Sequence, residues 1–242
     1  MCSLLKRYYL QQLSRPGIVG LFVNPFYFAR RGLLIAVRDF SHAIRGRVLD
    51  VGCGSRPYES LFGASKYVGL ELDTPENRLA DKADVFYDGT TFPFEAASFD
   101  SVVCNQVLEH VFEPDAFMRE ISRVLNSDGK LLLTVPFVWD EHEQPRDFGR
   151  YSSFGLTDLL ERNGFEVIEL RKTMGDIRTI FQMLNAYLYK KTQVRNPYLG
   201  LVATLALLAP LNLAGTILSW VMPRNADLYL DNVVLATKAW AK

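Results

Sequence analysis

A glycine-rich turn directly after an apolar run is the first group of residues equipped to bind a small molecule. Residues 47–54 read RVLDVGCG, so Asp50 lies near the end of a run typical of a buried strand, and Gly52 and Gly54 follow it. Glycines two residues apart allow a tight turn and leave the backbone bare, so a ligand can approach where any Cβ would collide. The turn therefore predicts a ligand site at the carboxyl end of a strand.

The position that would hold the third glycine of a dinucleotide-binding turn is occupied by Pro57. The dinucleotide fingerprint needs glycine there, because the chain must pack closely against the sheet. Proline suits the first turn of a helix instead, and we expect a helix beginning near Tyr58. A nicotinamide-dependent oxidoreductase stays an alternative that this proline disfavours.

Two acidic residues follow at spacings that suit a nucleoside. Glu71 lies near the end of KYVGLEL, about 20 residues after the glycines, where a carboxylate can accept hydrogen bonds from both ribose hydroxyls. Asp73 is the alternative residue for this role. Asp88 ends the run ADVFYD, where it can accept a hydrogen bond from an adenine amino group, and Phe92 and Phe94 follow as candidates to sandwich the ring.

Alternating apolar runs and helical stretches supply the framework that would position these residues. Strands are predicted at 47–51, 66–72, 83–88, 99–105, 130–137, 164–172 and 228–238, and helices at 58–62, 112–125 and 155–163. Residues 4–44 also show helical spacing. Such alternation predicts a mostly parallel sheet with right-handed crossovers.

The segments VLDVGCG, GLE, YDGTTFPFEAASFDSVVCNQVLEHVFEP and LNSDGKLLLTVP, in this order, resemble the core of class I S-adenosylmethionine-dependent methyltransferases of the type 11-like group. The resemblance covers about residues 47–170. It implies an α/β fold with a Rossmann-like seven-stranded, mostly parallel sheet and an antiparallel last strand. N-terminal helices and an apolar helical insertion before the last strand complete the expected fold. S-adenosylmethionine is the implied cofactor, bound at the carboxyl ends of the strands.

The resemblance also implies which residues hold each part of the cofactor. Asp50, Gly52, Cys53 and Gly54 would line the methionine part, Glu71 and Leu72 the ribose, Asp88 and Gly89 the adenine, and Asn105 and Gln106 the sulfonium end. Arg56 stands where the family commonly has glycine, and Glu71 replaces the more usual aspartate. Glu109 and His110 are assigned to the wall of the cofactor site rather than to acid–base chemistry.

The loop 137–156, after the fifth predicted strand, carries the candidates for the acceptor side. His142 lies between two glutamates and is the candidate general base, because imidazole exchanges protons near neutral pH and a carboxylate can orient it. A solvated loop histidine is the alternative. Arg146 and Tyr151 are candidates for binding a polar acceptor, unless Arg146 pairs with Asp147 to order the loop.

The acceptor class is suggested by a second resemblance. Residues 141–165, EHEQPRDFGRYSSFGLTDLLERNGF, are similar to methyltransferases associated with bacterial cell-surface polysaccharide and glycolipid assembly. This implies a small-molecule, sugar or lipid-linked acceptor that is methylated on oxygen. A catalytically idle methyltransferase-like scaffold that binds a membrane or a partner is a further alternative, and the sequence does not fix the oligomeric state.

Composition bears on partners and location. Lys plus Arg and Asp plus Glu number 27 each, so the formal net charge is zero and no global field would steer a nucleic acid to the surface. Cys2, Cys53 and Cys104 form no metal-ligand motif, so we expect no metal site and reduced thiols in the cytoplasm. The early residues Lys6 and Arg7, with polar residues after them, do not predict an export signal.

Residues 196–223 contain no charged side chain and raise the question of membrane contact. Pro210 and Asn212 are expected to split this segment into two helical halves, each too short to span a bilayer. The segment would then cap the domain, lie in a dimer interface or contact lipid. A single crossing is excluded if the strands before and after it share one sheet. The neighbouring basic residues suit lipid headgroups at the inner face of the membrane: Lys190, Lys191, Arg195 and Arg224.

We therefore predict four segments. An N-terminal helical cap covers 1–45, the S-adenosylmethionine-binding core 46–175, the apolar helical insertion 176–226 and the final strand 227–242.

Overall fold

The computed structural model describes residues 3–192 and 196–239. Cys2 and Arg195, which entered the sequence predictions, lie outside these ranges. The chain forms two compact units. The sheet unit comprises Ala36–Phe137, Glu141–Arg171 and the chain from Asn232 onward, and the helical unit comprises the chain up to Ile35, Val138–Asp140 and Lys172–Asp231.

Helices and strands alternate through the middle of the chain. The helices are α1 (Ser3–Ser14), α2 (Gly20–Val23), α3 (Tyr27–Phe40), α4 (Pro75–Ala80), α5 (Pro114–Val124), α6 (Ser153–Arg162), α7 (Arg178–Thr192), α8 (Pro197–Ala203) and α9 (Ala209–Val221). The strands are β1 (Arg45–Val51), β2 (Gly63–Leu72), β3 (Val85–Tyr87), β4 (Phe99–Asn105), β5 (Leu125–Pro136), β6 (Phe165–Lys172) and β7 (Asp231–Lys238).

The strands form one sheet in the order β3-β2-β1-β4-β5-β7-β6. The pairs β3–β2, β2–β1, β1–β4 and β4–β5 are parallel. The end of β7 lies beside the start of β5, where Thr237 Oγ1 donates to the Asp128 carbonyl, and beside the start of β6, where Ala239 N donates to the Gly164 carbonyl. β7 is therefore antiparallel to its neighbours, and the predicted seven-stranded, mostly parallel Rossmann-like fold is confirmed.

The core of the sheet unit follows from the apolar periodicity of its elements. Strands β1, β4 and β5 are buried on both faces, as expected for the centre of a parallel sheet covered by helices. Helix α5 presents one apolar stripe to this core through Phe117, Met118, Ile121 and Val124, which recur at helical spacing.

The expected helix near Tyr58 is wrong. The segment between the end of β1 at Val51 and the start of β2 at Gly63 contains one 3-10 turn, Glu59–Leu61. The physical reason is length, because the glycine-rich turn uses the first half of this short connection and too few residues remain for an α-helix. The helices predicted at 112–125 and 155–163 are present as α5 and α6.

Two buried amide side chains hold the helical unit together. Gln182 of α7 accepts hydrogen bonds from the backbone N–H groups of Phe28 and Ala29 at 3.0 and 3.2 Å and donates to the Pro25 carbonyl at 3.1 Å. These bonds engage both the oxygen and the nitrogen of the amide at the start of α3. Because a buried amide without partners costs about 1–3 kcal/mol, each bond specifies how α7 packs on the N-terminal helices.

Asn212 of α9 makes the second set of buried bonds. Its Nδ2 donates to the carbonyls of Leu21 and Asn24 at 2.9 and 3.1 Å, and its Oδ1 accepts from Asn185 Nδ2 at 2.7 Å. The apolar insertion and the N-terminal helices therefore pack together within one unit. The sequence prediction places the N-terminal helices and the apolar insertion in separate segments. The boundaries of the four predicted segments stay predictions.

The expected break at Pro210 and Asn212 is wrong. Residues 199–221 form one continuous helix, with a π-helical stretch, Thr204–Leu208, between α8 and α9. Proline lacks an N–H and crowds the preceding turn, and the wider π-helical turn just before Pro210 accommodates its ring without ending the helix. Asn212 faces inward and serves the packing described above.

This continuous helix, Leu199–Val221, has the length and composition needed to cross a bilayer, and no other helix in 3–192 and 196–239 does. Only 28% of its most apolar stretch is buried. In the chain, β6 and α7 precede this helix and β7 follows it, and β6 and β7 are neighbours in the sheet. The condition under which the sequence argument rules out a single crossing is therefore met, and membrane contact stays a prediction.

Candidate active site

The carboxyl ends of β1, β2 and β4 meet at one edge of the sheet. The parallel register places Val51 beside Leu70 on one side and Cys104 on the other. The residues that directly follow these positions include the glycine turn, Glu71 and Asn105. Sequence analysis predicted that these groups serve one ligand, and the strand register brings them to the same edge.

Gly52 and Gly54 form the turn with positive φ angles of 66° and 47°. A Cβ on Gly52 would lie 2.4 Å from Val107 Cγ2, so no side chain fits there without displacing the next loop. No heavy atom lies within 4 Å of the place that a Cβ on Gly54 would take. Gly54 thus leaves open space beside bare backbone, as the predicted ligand contact requires.

Glu71 links the glycine turn to the second strand. Its Oε1 accepts a hydrogen bond from the backbone N–H of Gly54 at 2.6 Å, and its Oε2 accepts from Asn77 Nδ2 at 3.3 Å. Both Glu71 and Leu72 line the cavity described below. Asp73, the alternative, pairs instead with Arg78. The geometry therefore favours Glu71 as the acid that faces a ligand.

Asp50 lies beneath the turn and is almost completely buried. The Tyr67 hydroxyl donates to Asp50 Oδ2 at 2.7 Å. Burial raises the pKa of Asp50 to about 7, although the Tyr67 hydrogen bond opposes the shift. The side chain of Cys53 is also buried, and burial raises the pKa of its thiol to about 12. Cys53 therefore carries no reactive thiolate, and its contact with the methionine part of the cofactor stays a prediction.

Arg56 occupies a position of the turn where methyltransferases that this sequence resembles commonly have glycine. Its φ angle is 51°, a left-handed conformation that glycine adopts without strain. The Arg56 guanidinium donates to Asp84 Oδ2 at 2.7 Å, and the same carboxylate oxygen accepts from Gly69 N at 2.7 Å. The side chain thus gains an ion pair that glycine could not make, which offsets the backbone strain.

Asp88 shapes the turn that follows β3. Its Oδ1 accepts from Thr90 N, Thr90 Oγ1 and Thr91 N, and these bonds lower the pKa of Asp88. Two residues of this turn, Gly89 and Thr90, are among the described residues that line the cavity. The adenine contact of Asp88 stays a prediction. Phe92 is buried in the core, where it packs edge-on against Tyr87.

Asn105 ends β4 and Gln106 follows it, on the far side of the turn. Asn105 Oδ1 accepts from Thr134 Oγ1 at 2.7 Å, and Gln106 N donates to the Thr134 carbonyl at 3.0 Å. Gln106 lines the cavity, whereas Asn105 lies beside Asp50 at a much smaller one. Their predicted contact with the sulfonium end stays a prediction.

A cavity of about 1070 Å³ opens at this edge of the sheet unit. Bare backbone at Gly52 and Gly54, the carboxylate of Glu71 and apolar walls from Leu72 and Phe117 surround it. The volume is ample for a nucleoside with an amino-acid tail, since typical ligand sites measure about 300–1000 Å³. The donors, acceptors and open backbone fit S-adenosylmethionine.

The opposite wall of the cavity is built from the loop after β5 and the residues before α5. His110, Glu143 and Arg146 line it, and the Arg146 carbonyl lies 2.6 Å from His110 Nδ1. The ring of His142 packs edge-on against the ring of His110, with 4.8 Å between the ring centroids. The candidate base His142 therefore contacts His110, and His110 rather than His142 is among the residues that line the cavity.

Asp147 holds this loop in place. The Arg150 guanidinium donates to both Asp147 oxygens at 2.6 and 2.7 Å, which holds the pKa of that carboxyl well below its usual range. Asp147 Oδ2 also accepts from His142 N and lies 3.3 Å from His142 Nδ1. The suggested pairing of Arg146 with Asp147 is wrong, because Arg150 takes that place and leaves the Arg146 side chain at the cavity.

Tyr151 is half-buried, and its backbone connects this loop to the sheet. Its N–H donates to the Pro136 carbonyl at 3.2 Å, and its carbonyl accepts from Asn232 Nδ2 at 2.7 Å. Acceptor binding by Tyr151 therefore stays a prediction.

Two aromatic side chains that the sequence analysis did not single out stand at the cavity. Phe112 and Phe148 are 76% and 49% exposed, and their rings meet edge-on at 5.3 Å. Exposed phenylalanines that line a cavity are typical of sites for ligands with an apolar part. No periodicity signals them, because both lie in irregular segments.

Replacing Asp50 by asparagine should flatten the pH dependence of stability. The folded-state pKa of Asp50 is about 7, above its usual value of 3.8, so between these values the folded protein binds more protons than the unfolded chain. The free energy of unfolding must therefore fall as pH rises through this window. We expect Asp50→Asn to gain stability relative to the wild type from about pH 5 to pH 8.

Thermal unfolding followed by circular dichroism at several pH values measures this difference. Tyr67→Phe is the companion variant, because losing its hydrogen bond should raise the pKa of Asp50 further. Parallel pH profiles for the wild type and Asp50→Asn would contradict the assignment.

Comparison with known proteins places this geometry in a family. The methyltransferase-domain family matches residues 26–170. A Mycolicibacterium smegmatis protein named as an S-adenosylmethionine-dependent methyltransferase is 30% identical over 62% of this chain and 63% of its own length. The ubiquinone biosynthesis O-methyltransferase of Xanthomonas oryzae is 33% identical over 37% of this chain and 42% of its own length. The similarity thus spans less than two thirds of both relatives.

Solved structures share the fold. Phosphoethanolamine N-methyltransferase 2 of Haemonchus contortus, in complex with S-adenosylmethionine, has a TM-score of 0.53 and 20% identity, covering 96% of this chain and 59% of that one. An S-adenosylmethionine-dependent methyltransferase of Mesorhizobium loti has a TM-score of 0.54 and 15% identity, covering 87% and 100%. The family and the cofactor class predicted from the four motifs are confirmed. This chain belongs to the methyltransferase-domain family of S-adenosylmethionine-dependent enzymes.

Proposed function

We propose that this protein transfers a methyl group from S-adenosylmethionine to a hydroxyl oxygen of a sugar or lipid-linked acceptor. The observation that carries the proposal is one cavity with two chemically different walls. One wall offers bare backbone and Glu71, and the other offers His110, Arg146 and exposed aromatic rings. A cofactor and an acceptor bound against these walls would meet in the same cavity.

The cofactor wall has to bind and orient rather than react. When bound, S-adenosylmethionine supplies a methyl group already activated on its sulfonium. Glu71 is placed to accept hydrogen bonds from a ribose, and its bond to Gly54 N holds the glycine turn in register. Holding two reactants in line and excluding water supplies most of the rate gain in such a transfer.

The acceptor wall has to bind an oxygen nucleophile and remove its proton. The methyl carbon bonds to the acceptor oxygen as the carbon–sulfur bond breaks, so the hydroxyl proton must leave to a base. His142, oriented by Asp147, is the proposed base, and its ring packs against that of His110, which lines the cavity. Arg146 suits a polar group of the acceptor, and Phe112 with Phe148 suits an apolar one.

The names of the relatives support methyl transfer more firmly than any one acceptor. Two are O-methyltransferases, acting on malonyl-acyl carrier protein in Legionella pneumophila and in ubiquinone biosynthesis in Xanthomonas oryzae. Another is a tRNA U34 carboxymethyltransferase of Campylobacter lari. Neither the oxidoreductase nor the idle scaffold gains support from the comparisons. One solved neighbour is the [4+2]-cyclase SpnF, so the fold alone does not decide the reaction.

Glu71→Ala should weaken binding of S-adenosylhomocysteine by about 10- to 100-fold, since a hydrogen bond to a charged group contributes about 1.5–3 kcal/mol. Asp73→Ala is the matched control, because Asp73 is exposed and pairs with Arg78. Isothermal titration calorimetry measures both affinities, and thermal unfolding checks that each variant is folded. No binding by the wild type, or equal losses in the two variants, would contradict the proposed cofactor site.

His142→Ala should leave S-adenosylhomocysteine binding unchanged and slow methyl transfer by about 100-fold or more, the usual contribution of a general base. Transfer can be followed with a tritium-labelled methyl group and a bacterial lipid extract as the acceptor source. Label in the organic phase that survives mild alkali indicates a methyl ether rather than an ester. Normal turnover in His142→Ala would remove the residue from the mechanism.

We further propose that the helical unit contacts lipid at the inner face of the cytoplasmic membrane, where a lipid-linked acceptor would be available. Large apolar side chains are exposed on α9, among them Leu213, Ile217 and Trp220. Exposed apolar residues also occur on α1, α2 and α7, including Leu4, Phe22 and Tyr187. Exposed apolar side chains on several helices of one unit fit the interfacial region of a bilayer.

Basic residues near this surface favour lipid over a second copy of the chain. Lys191 and Arg224 flank the continuous helix on either side, and Lys190 pairs with Asp140 at 2.6 Å. Anionic headgroups attract such residues, whereas two identical positive rims would repel each other in a symmetric dimer. The location of the protein at a membrane is thus a proposal based on composition and exposure.

Ile217→Glu with Trp220→Glu should abolish binding to vesicles that contain phosphatidylglycerol. Both side chains are exposed, so folding should persist, and losing two apolar contacts weakens partitioning roughly 100-fold or more. Leu79→Glu with Phe154→Glu is the matched control, because these exposed apolar residues belong to the sheet unit. Flotation with the vesicles measures binding. Equal flotation of both variants, or a dimer in light scattering that only the first variant disrupts, would contradict lipid contact.

A further inference from the structure

Three side chains at the acceptor end of the cavity converge in a way the sequence did not predict. One carboxylate oxygen of Glu109, one ring nitrogen of His110 and one ring nitrogen of His142 all lie within 4.8 Å of one another. Two of these residues precede α5, and the third lies in the loop after β5. The sequence predicted no metal site, because the cysteines form no ligand motif and the two histidines lie far apart along the chain.

The second nitrogen of each histidine ring is already committed. A carbonyl oxygen only accepts hydrogen bonds, so the contact of 2.6 Å with the Arg146 carbonyl places the proton of neutral His110 on Nδ1. His142 Nδ1 faces the Asp147 carboxylate at 3.3 Å. Metal-binding histidines are typically held in this way, with a carbonyl or carboxylate on the nitrogen that does not bind the ion.

The carboxylate of Glu109 completes the donor set. Its side chain is completely buried, and its Oε1 lies 3.9 Å from His110 Nε2. The backbone carbonyl of Glu109 accepts from Phe148 N at 2.8 Å and from Gly149 N at 3.1 Å, which fixes the residue against the loop. The carboxylate is therefore held within ligand distance of both imidazoles by a residue whose backbone is fixed.

We propose that Glu109, His110 and His142 bind one divalent transition-metal ion of the Zn²⁺ type beside the acceptor end of the cavity. Two imidazole nitrogens and one carboxylate oxygen are a donor set that Zn²⁺ favours and that Mg²⁺ or Ca²⁺ disfavours. Zinc bonds of about 2.0–2.2 Å place tetrahedral ligands about 3.4 Å apart, so small side-chain rotations close the observed cluster onto an ion. Three protein ligands leave a fourth position open.

The open position gives the ion a role in transfer, and that role rests on the proposed function. An acceptor hydroxyl bound there becomes more acidic and loses its proton to water. Its oxygen then bonds to the methyl carbon as the carbon–sulfur bond breaks, and a neutral thioether leaves. In the metal-loaded protein His142 is therefore a ligand, and the ion replaces it as the cause of hydroxyl deprotonation.

Metal binding can be tested without any acceptor. The protein is stripped with a chelator and titrated with Zn²⁺ by calorimetry, and Co²⁺ provides a visible absorption spectrum of the site. We expect one Zn²⁺ per chain in the wild type and at least about 10-fold weaker binding in His110→Ala, His142→Ala and Glu109→Gln. His42→Ala is the matched control, because His42 completes the chain's set of three histidines and lies exposed elsewhere in the sheet unit.

The outcomes separate this proposal from the proposed function. Failure of the wild type to bind Zn²⁺, or equal binding by the wild type and His142→Ala, overturns the metal site. His142 is partly exposed, so its variant stays informative if Glu109→Gln does not fold. S-adenosylhomocysteine binding is measured on the same samples. Cofactor binding without Zn²⁺ binding overturns only the metal site, and Zn²⁺ binding without cofactor binding overturns only the proposed function.

Discussion

The hydrogen bond from Gly54 N to Glu71 Oε1 is the interaction on which the site depends. It joins the turn after β1 to the end of β2, and it exists because the parallel register aligns Val51 with Leu70. A shift of one residue in that register would turn Glu71 to the other face of the sheet. The geometry of the cavity therefore depends on how the strands pair in the core.

Much of the fold was predictable because its signals are local. Buried strands such as FDSVVCN and the apolar stripe of α5 show their periodicity directly in the sequence. Two predictions about helices were wrong, and the physical cause of each is not visible in a local sequence pattern. The length of chain after the glycine turn rules out a helix at Tyr58, and the wider π-helical turn keeps the helix continuous through Pro210.

The site residues also fall into two groups, those that local sequence patterns predict and those that they do not. Glu71 and the glycines could be identified because strand ends fix their relative positions. The grouping of Glu109, His110 and His142 could not, because it depends on how the loop after β5 folds back. Asp147 pairs with Arg150 rather than with the adjacent Arg146, and this ion pair holds the loop after β5 in its conformation. Contacts between two irregular segments are decided by tertiary packing, which spacing along the chain does not record.

The buried amides of Gln182 and Asn212 have a consequence for evolution and engineering of the helical unit. Each joins a residue late in the chain to backbone atoms more than 150 positions earlier. Deleting the first 30 residues would remove the three backbone partners of Gln182 and both carbonyl acceptors of Asn212 Nδ2, and would leave Asn212 only its bond from Asn185. Shortening the amino terminus and retaining an intact carboxyl-terminal half are therefore incompatible changes.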